Sequence, residues 1–124
     1  MASVSAFTRE TKEAVLKRAN FKCERCGVGP ASQAHHRTPR RAGGSGNDEL
    51  ALPSNCIVLC SKCHDVVESR RKVAAQMGYL VGYGSHPVEV PVYLWHGWCY
   101  LNDDGTLERL GKVPSLNETR RVRP

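Results

Sequence analysis

No apolar run in this chain approaches the ~20 residues that a membrane-spanning helix requires, which excludes a helical membrane protein. Met1 to Glu10 has no basic head followed by an apolar core, so no secretory signal is expected and the chain is read as cytosolic. Internal repeats and low-complexity tracts are absent, which removes repeat architectures. Acidic residues are in short supply: 12 Asp and Glu stand against 18 Lys and Arg, giving a net charge of +6 and a sequence pI near 9.2. Such an excess favours polyanionic partners, with nucleic acid the default candidate, although small soluble proteins without such a partner also carry it. Hydrophobic residues at 40% and charged residues at 24% exclude disorder by composition. A length of 124 residues fits one domain, 1–124, with a modest core whose stability draws on something further.

The six cysteines point to that further source. A disulfide framework does not suit a cytosolic chain, where thiols stay reduced. Four of the six form two C-x-x-C pairs, Cys23-Glu24-Arg25-Cys26 and Cys60-Ser61-Lys62-Cys63. A pair at this spacing bends its turn so that both sulfurs face one point, and two pairs complete a tetrahedral thiolate set suited to zinc. A redox motif rarely comes twice, and neither pair sits in a βαβ pattern. Four thiolates leave no open coordination position, so the ion is expected to be structural. Cys56 and Cys99 fall outside the pairs and read as small buried hydrophobes.

Patterning predicts an α+β fold. Thr8 to Ala19 reads as a helix with Thr8 as N-cap, and residues 8–20 form the N-terminal element. Ser32 to Arg37 and Ile57 to Leu59 read as short strands, with a Gly-rich loop over Thr38 to Asp48. Cys63 to Met77 reads as one helix with Val66, Val67, Val73, Ala74 and Met77 on its apolar side and Gly78 after its end. Residues 79–116 read as a small antiparallel meander: Val88 to Leu94 with Pro91 at an edge, then Trp98 to Leu101, then Thr106 to Leu110 after the Asn102–Gly105 turn. Residues 117–124 carry Arg120, Arg121 and Arg123 and read as a mobile basic tail.

The 33 residues between the cysteine pairs hold the most informative side chains. His35 and His36 are adjacent on a predicted strand, where neighbours point to opposite faces, so they are not expected to share one task. His64 opens the best helix, and Glu68 lies one turn on, about 40° away in projection, so the two can meet at one point away from the apolar stripe. The order H-H-x18-N-x8-H, formed by His35-His36, Asn55 and His64 between the cysteine pairs, resembles the HNH endonucleases. His35-His36-Arg37-x-Pro39 followed by Gly43-Gly44 is similar to the family's usual form, and the stretch from His64 to the Val90-Pro91-Val92 region is similar to small HNH proteins encoded by bacteriophages. The resemblance covers residues 21–78 and implies the family's ββα-metal (His-Me finger) core with a four-cysteine zinc knuckle.

That resemblance implies roles. His35 and His64 would ligate a catalytic divalent metal (magnesium, manganese, nickel or zinc), and His36 would be the general base. Asn55 would hold the hairpin in shape and orient His36 through backbone. Glu68 stands where some relatives place a third histidine ligand, and a carboxylate there would favour a harder ion. The reaction would be hydrolysis of DNA phosphodiester bonds, nicking or cutting both strands, the latter implying a homodimer. Arg37, Arg40, Arg41 and Arg71 are candidate phosphate contacts. Two rival readings stand beside the enzyme: a non-catalytic, zinc-dependent DNA-binding module, and an accessory protein of phage DNA packaging with a terminase partner in the host cytoplasm. A pure binding module would not need His36 or the His35/His64 pair.

Overall fold

The computed structural model describes residues 7–39 and 48–122. Helix α1, Arg9–Arg18, starts where the Thr8 side chain accepts a hydrogen bond from the Thr11 amide at 3.1 Å. Glu10 in its first turn and Lys17 and Arg18 in its last complement the helix dipole. Strands β1, Gln33–His36, and β2, Cys56–Leu59, pair antiparallel with His35 opposite Ile57 and His36 opposite Cys56. Helices α2, Ser61–Ser69, and α3, Arg71–Gln76, come next, and β3, Val92–Leu94, β4, Gly97–Leu101, and β5, Leu107–Arg109, form a three-stranded antiparallel meander. Short 3-10 turns at Asp48–Ala51, Pro53–Asn55 and Pro87–Glu89 connect these elements. The hairpin followed by a helix is the ββα arrangement, and the whole is α+β as the patterning predicts. Among the described residues no helix is long and apolar enough to cross a membrane.

Strand β2 is buried at every position and walls two cores. Ile57 and Leu59 face a cluster with Val67, Tyr79, Leu94 and Leu101, while Cys56 and Val58 face one with Phe7 and Val15. This is the alternation of a strand with a layer on each side. Ile57 and Leu59 are fully buried, and each such side chain stabilises the fold by about 1.5–3 kcal/mol. The same alternation places His35 and His36 on opposite faces of β1.

Three expectations need correcting. The helix expected over Cys63 to Met77 is two helices, broken at Arg70, whose φ of −122° and ψ of 60° are not helical. The break shifts the helical phase of α3 relative to α2, so Val73, expected in the core, is 48% exposed. Val88 to Leu94 is not one strand: Pro87–Glu89 makes a 3-10 turn, and extended pairing begins only after Pro91, which has no N–H for a ladder. The segment expected as a basic tail is docked as far as Arg120. Its amide donates to the Glu89 carbonyl, its Nε to the Val88 carbonyl, and its guanidinium lies 4.4 Å over the Tyr100 ring. Gly78 does come after the second helix, with φ of 87°.

Candidate active site

The two C-x-x-C turns meet. One Sγ from each of Cys23, Cys26, Cys60 and Cys63 lies within 4.8 Å of the others, and the Cys26 and Cys60 sulfurs are 4.0 Å apart. A tetrahedral Zn–S length of ~2.3 Å sets sulfurs about 3.8 Å apart, so the cluster has the size that ion needs. N–H groups already aim at the sulfurs: Cys26 at Cys23, Gly29 at Cys26 and Cys63 at Cys60, each at 3.4 Å, with the Arg25 guanidinium 3.3 Å from Cys63. The amides of Gly29 and Val28 hold the Cys26 thiol down to about 6, whereas burial pushes Cys63 up to about 12. Cys60 is also the N-cap of α2, so the knuckle fixes where that helix begins. Cys56 and Cys99 are buried outside the cluster, as small hydrophobes would be.

The second cluster is set by that helix start. His64 falls in the first turn of α2 and Glu68 one turn on, with His64 Nε2 3.8 Å from Glu68 Oε2. The register of β1 brings His35 over the same helix, its Nδ1 3.9 Å from the same carboxylate. One ligand atom from each of the three lies within 4.8 Å of the others. Donors on one ion at ~2.1 Å stand about 3.0–3.4 Å apart, so the two His–Glu68 distances would have to close by about 0.4–0.9 Å to seat a divalent metal. Two features hold the donors in place. His35 Nε2 meets the Tyr79 carbonyl at 2.8 Å, which puts the ring proton there and turns Nδ1 toward the cluster. Arg71 bonds the other carboxylate oxygen of Glu68 at 2.9 Å. Burial lowers the pKa of His35, opposed by the Tyr79 carbonyl and Glu68, and so favours the neutral imidazole a metal requires.

His36 sits at the rim of the cleft lined by His35, His64, Glu68, Arg71 and Pro39. Its Nε2 is buried. On the side away from α2 its ring stacks on Phe7, centroids 3.8 Å apart and planes inclined by 16°. Asn55 is fully buried and acts on the backbone just beyond His36: its Oδ1 accepts from the Thr38 amide at 2.7 Å, and its Nδ2 donates to the carbonyls of Thr38 and Leu50 at 3.1 and 3.0 Å. It clamps the exit of β1 to the turn at Asp48–Ala51.

The expected phosphate contacts divide. Arg37 is corrected: it is fully buried and donates to the carbonyls of Gly78, Ser54, Pro87 and Val90 at 2.8 to 3.0 Å, so it ties β1 to the segment after α3 and cannot reach a phosphate. Arg71 lines the cleft and is half exposed. Arg40 and Arg41 lie outside the described residues. Sequence reasoning missed Arg18 and Glu24, whose buried bidentate pair at 2.8 Å also holds the carbonyls of Pro53 and Cys56 and the amide of Val58. Glu24, a charged residue inside a C-x-x-C turn that folds against the core, was the available signal. The Tyr79 contact carried none, because it is made by backbone.

Residues 23–70, which contain both cysteine pairs and all three donors of the second cluster, match the family model described as HNH endonuclease. No curated protein and no solved structure matches the chain.

Proposed function

We propose that the HNH segment, residues 23–70, makes this chain a metal-dependent endonuclease that hydrolyses DNA phosphodiester bonds. The observation that carries the reading is the convergence of His35, His64 and Glu68 on one point, with His36 on the rim of the same cleft. His35 Nδ1, His64 Nε2 and a Glu68 oxygen would hold the catalytic ion, and the carboxylate suits a hard ion such as magnesium or manganese. When bound, a divalent ion supplies Lewis-acid charge for a non-bridging phosphate oxygen and the departing 3′ oxygen.

The chain's own residues do the rest. His36 takes a proton from the water whose oxygen attacks phosphorus, a contribution of about 10²–10⁴-fold. The P–O3′ bond breaks, leaving a 5′-phosphate and, once the oxyanion is protonated, a 3′-hydroxyl. Asn55 keeps β1 and its exit loop in the geometry that presents His36. Arg71 adds a guanidinium where the phosphate enters. The four cysteines hold a structural zinc, which fixes the start of α2 and through it His64 and Glu68.

A supercoiled-plasmid assay tests the reading, run with and without EDTA across magnesium, manganese, nickel and zinc, beside His36→Ala. Relaxation or linearisation that needs metal and is lost in the variant is expected. DNA bound but never cut, under any of these ions, would move the chain to the non-catalytic DNA-binding reading.

A further inference from the structure

A face-to-face ring neighbour restricts the plane of an imidazole. The terminal χ angle of histidine is broad, and a general base works only when its nitrogen is held near the attacking water. In this chain one face of the His36 ring is covered from outside the HNH segment. Phe7 lies face to face with it at 3.8 Å and 16°, a geometry that blocks rotation of either ring without displacing the other.

Phe7 is itself held fast. It is 4% exposed and packs with Val15, Cys56 and Val58, and Cys56 is the register partner of His36. The next residue, Thr8, is the N-cap of α1. In the first turn of that helix the Thr11 hydroxyl donates to the Ala51 carbonyl at 2.7 Å. The neighbouring 3-10 turn carries Asn55, which clamps the backbone beyond His36. The ring of Phe7 and the clamp of Asn55 therefore constrain His36 from two directions, one on its side chain and one on its strand.

We infer that Phe7 is a positioning residue for His36, holding the imidazole plane in the orientation proton transfer requires. The inference rests on the nuclease reading above, and its two readouts separate the contact from the activity. The first is the proton NMR spectrum of the metal-loaded full chain. The face of Phe7 shields the His36 ring, so the His36 carbon-bound ring protons resonate upfield in the wild type. They move downfield in Phe7→Leu, with Phe7→Met as a second flexible replacement should Leu fail to fold. The second is steady-state cleavage. Phe7→Leu is expected to lower kcat about 10- to 100-fold, the scale of an ångström's misplacement, with KM and the catalytic-metal titration within twofold of wild type. Phe7→Tyr keeps a flat ring and restores most of kcat. Val58→Ala opens a hole in the same cluster while leaving the Phe7 ring in place and leaves kcat within a few-fold.

Three results would overturn the inference: His36 signals that stay put in Phe7→Leu, a kcat in that variant within twofold of wild type, or an equal loss in Val58→Ala. A wild type that cuts nothing removes the nuclease reading and the positioning role together. The ring-current shift, which needs no turnover, then still reports whether the two rings are stacked.

Discussion

Arg37 and Arg71 carry the same group and do opposite things because one is buried and the other is not. Arg37 gives its donors to four carbonyls from distant parts of the chain, and burial pushes its pKa down to about 9, still well above neutral, so it remains a cation. Arg37→Leu strands those carbonyls without a donor and should cost about 3 kcal/mol or more, read as a fall in Tm. Arg71→Ala should leave Tm within about 2 °C and reduce the slope of log K for DNA against log salt by about one, measured by fluorescence anisotropy. Equal effects of the two on the salt slope would return Arg37 to the DNA surface. His35 supplies a pH dependence. Its folded pKa lies below the ordinary 6.5, so its contribution to stability is present above that value and is lost as pH falls through the folded pKa. Tm should therefore drop between pH 7 and pH 6, above the range in which acid displaces the zinc, and His35→Gln should flatten that part of the curve; parallel curves would exclude His35 as the group responsible. At this scale the grouping of the four cysteines and of His35, His64 and Glu68 was legible, because metal ligation demands particular residue types at particular spacings. Arg37, Phe7 and the Tyr79 carbonyl were not, since their roles come from contacts 17 to 53 positions away along the chain.

Elements were legible where periodicity is clean and not where a break carries function. The apolar residues from Val66 to Met77 fit one helix, yet the chain bends at Arg70, and no proline or glycine marks the place. The bend has a use: it turns α3 so that the chain leaves it through Gly78 and Tyr79 back over β1. There the Gly78 carbonyl receives Arg37 and the Tyr79 carbonyl receives His35. Gly78 permits this because its φ is 87° and because a Cβ on it would stand 2.1 Å from the Pro91 carbonyl oxygen. Gly78→Ala is thus expected to cost at least 2–3 kcal/mol, more than the backbone conformation alone. It should also weaken the catalytic-metal titration, by shifting the Tyr79 carbonyl that orients His35. Gly84→Ala is the matched control: its φ is 99°, but nothing lies within 4 Å of the added carbon. It should cost about 1 kcal/mol and leave the metal titration unmoved. Equal losses from the two substitutions would mean that the close packing of Gly78 on Pro91 is unimportant.

Across the molecule the two metal clusters share one helix, with Cys63 in the first and His64 in the second as chain neighbours. The arrangement makes them unequal in what their loss does. Four thiolates would surround the first ion, and structural zinc of this kind contributes ~10–16 kcal/mol at neutral pH, as much as the ~5–15 kcal/mol that holds a whole small domain folded. The second has three donors and faces a cleft, so its ion should exchange readily and contribute little to folding. Chelation is therefore expected in two stages. EDTA at pH 7.5 should first abolish cleavage with the circular dichroism melt unchanged, and added magnesium or manganese should restore activity. The thiolate ion, enclosed by four ligands, should leave more slowly, on prolonged chelation or in acid. Binding it must take protons off thiols, and Cys63, pushed up to about 12, resists losing its own far more than Cys26, held near 6. Below about pH 6 protons should displace the zinc and the melt should collapse, and Cys60→Ser should bring that collapse to neutral pH. A zinc-release dye followed beside the melt gives the order directly. If unfolding and loss of activity coincide at every pH, the clusters act as one cooperative unit, and the division into a structural and a catalytic ion fails.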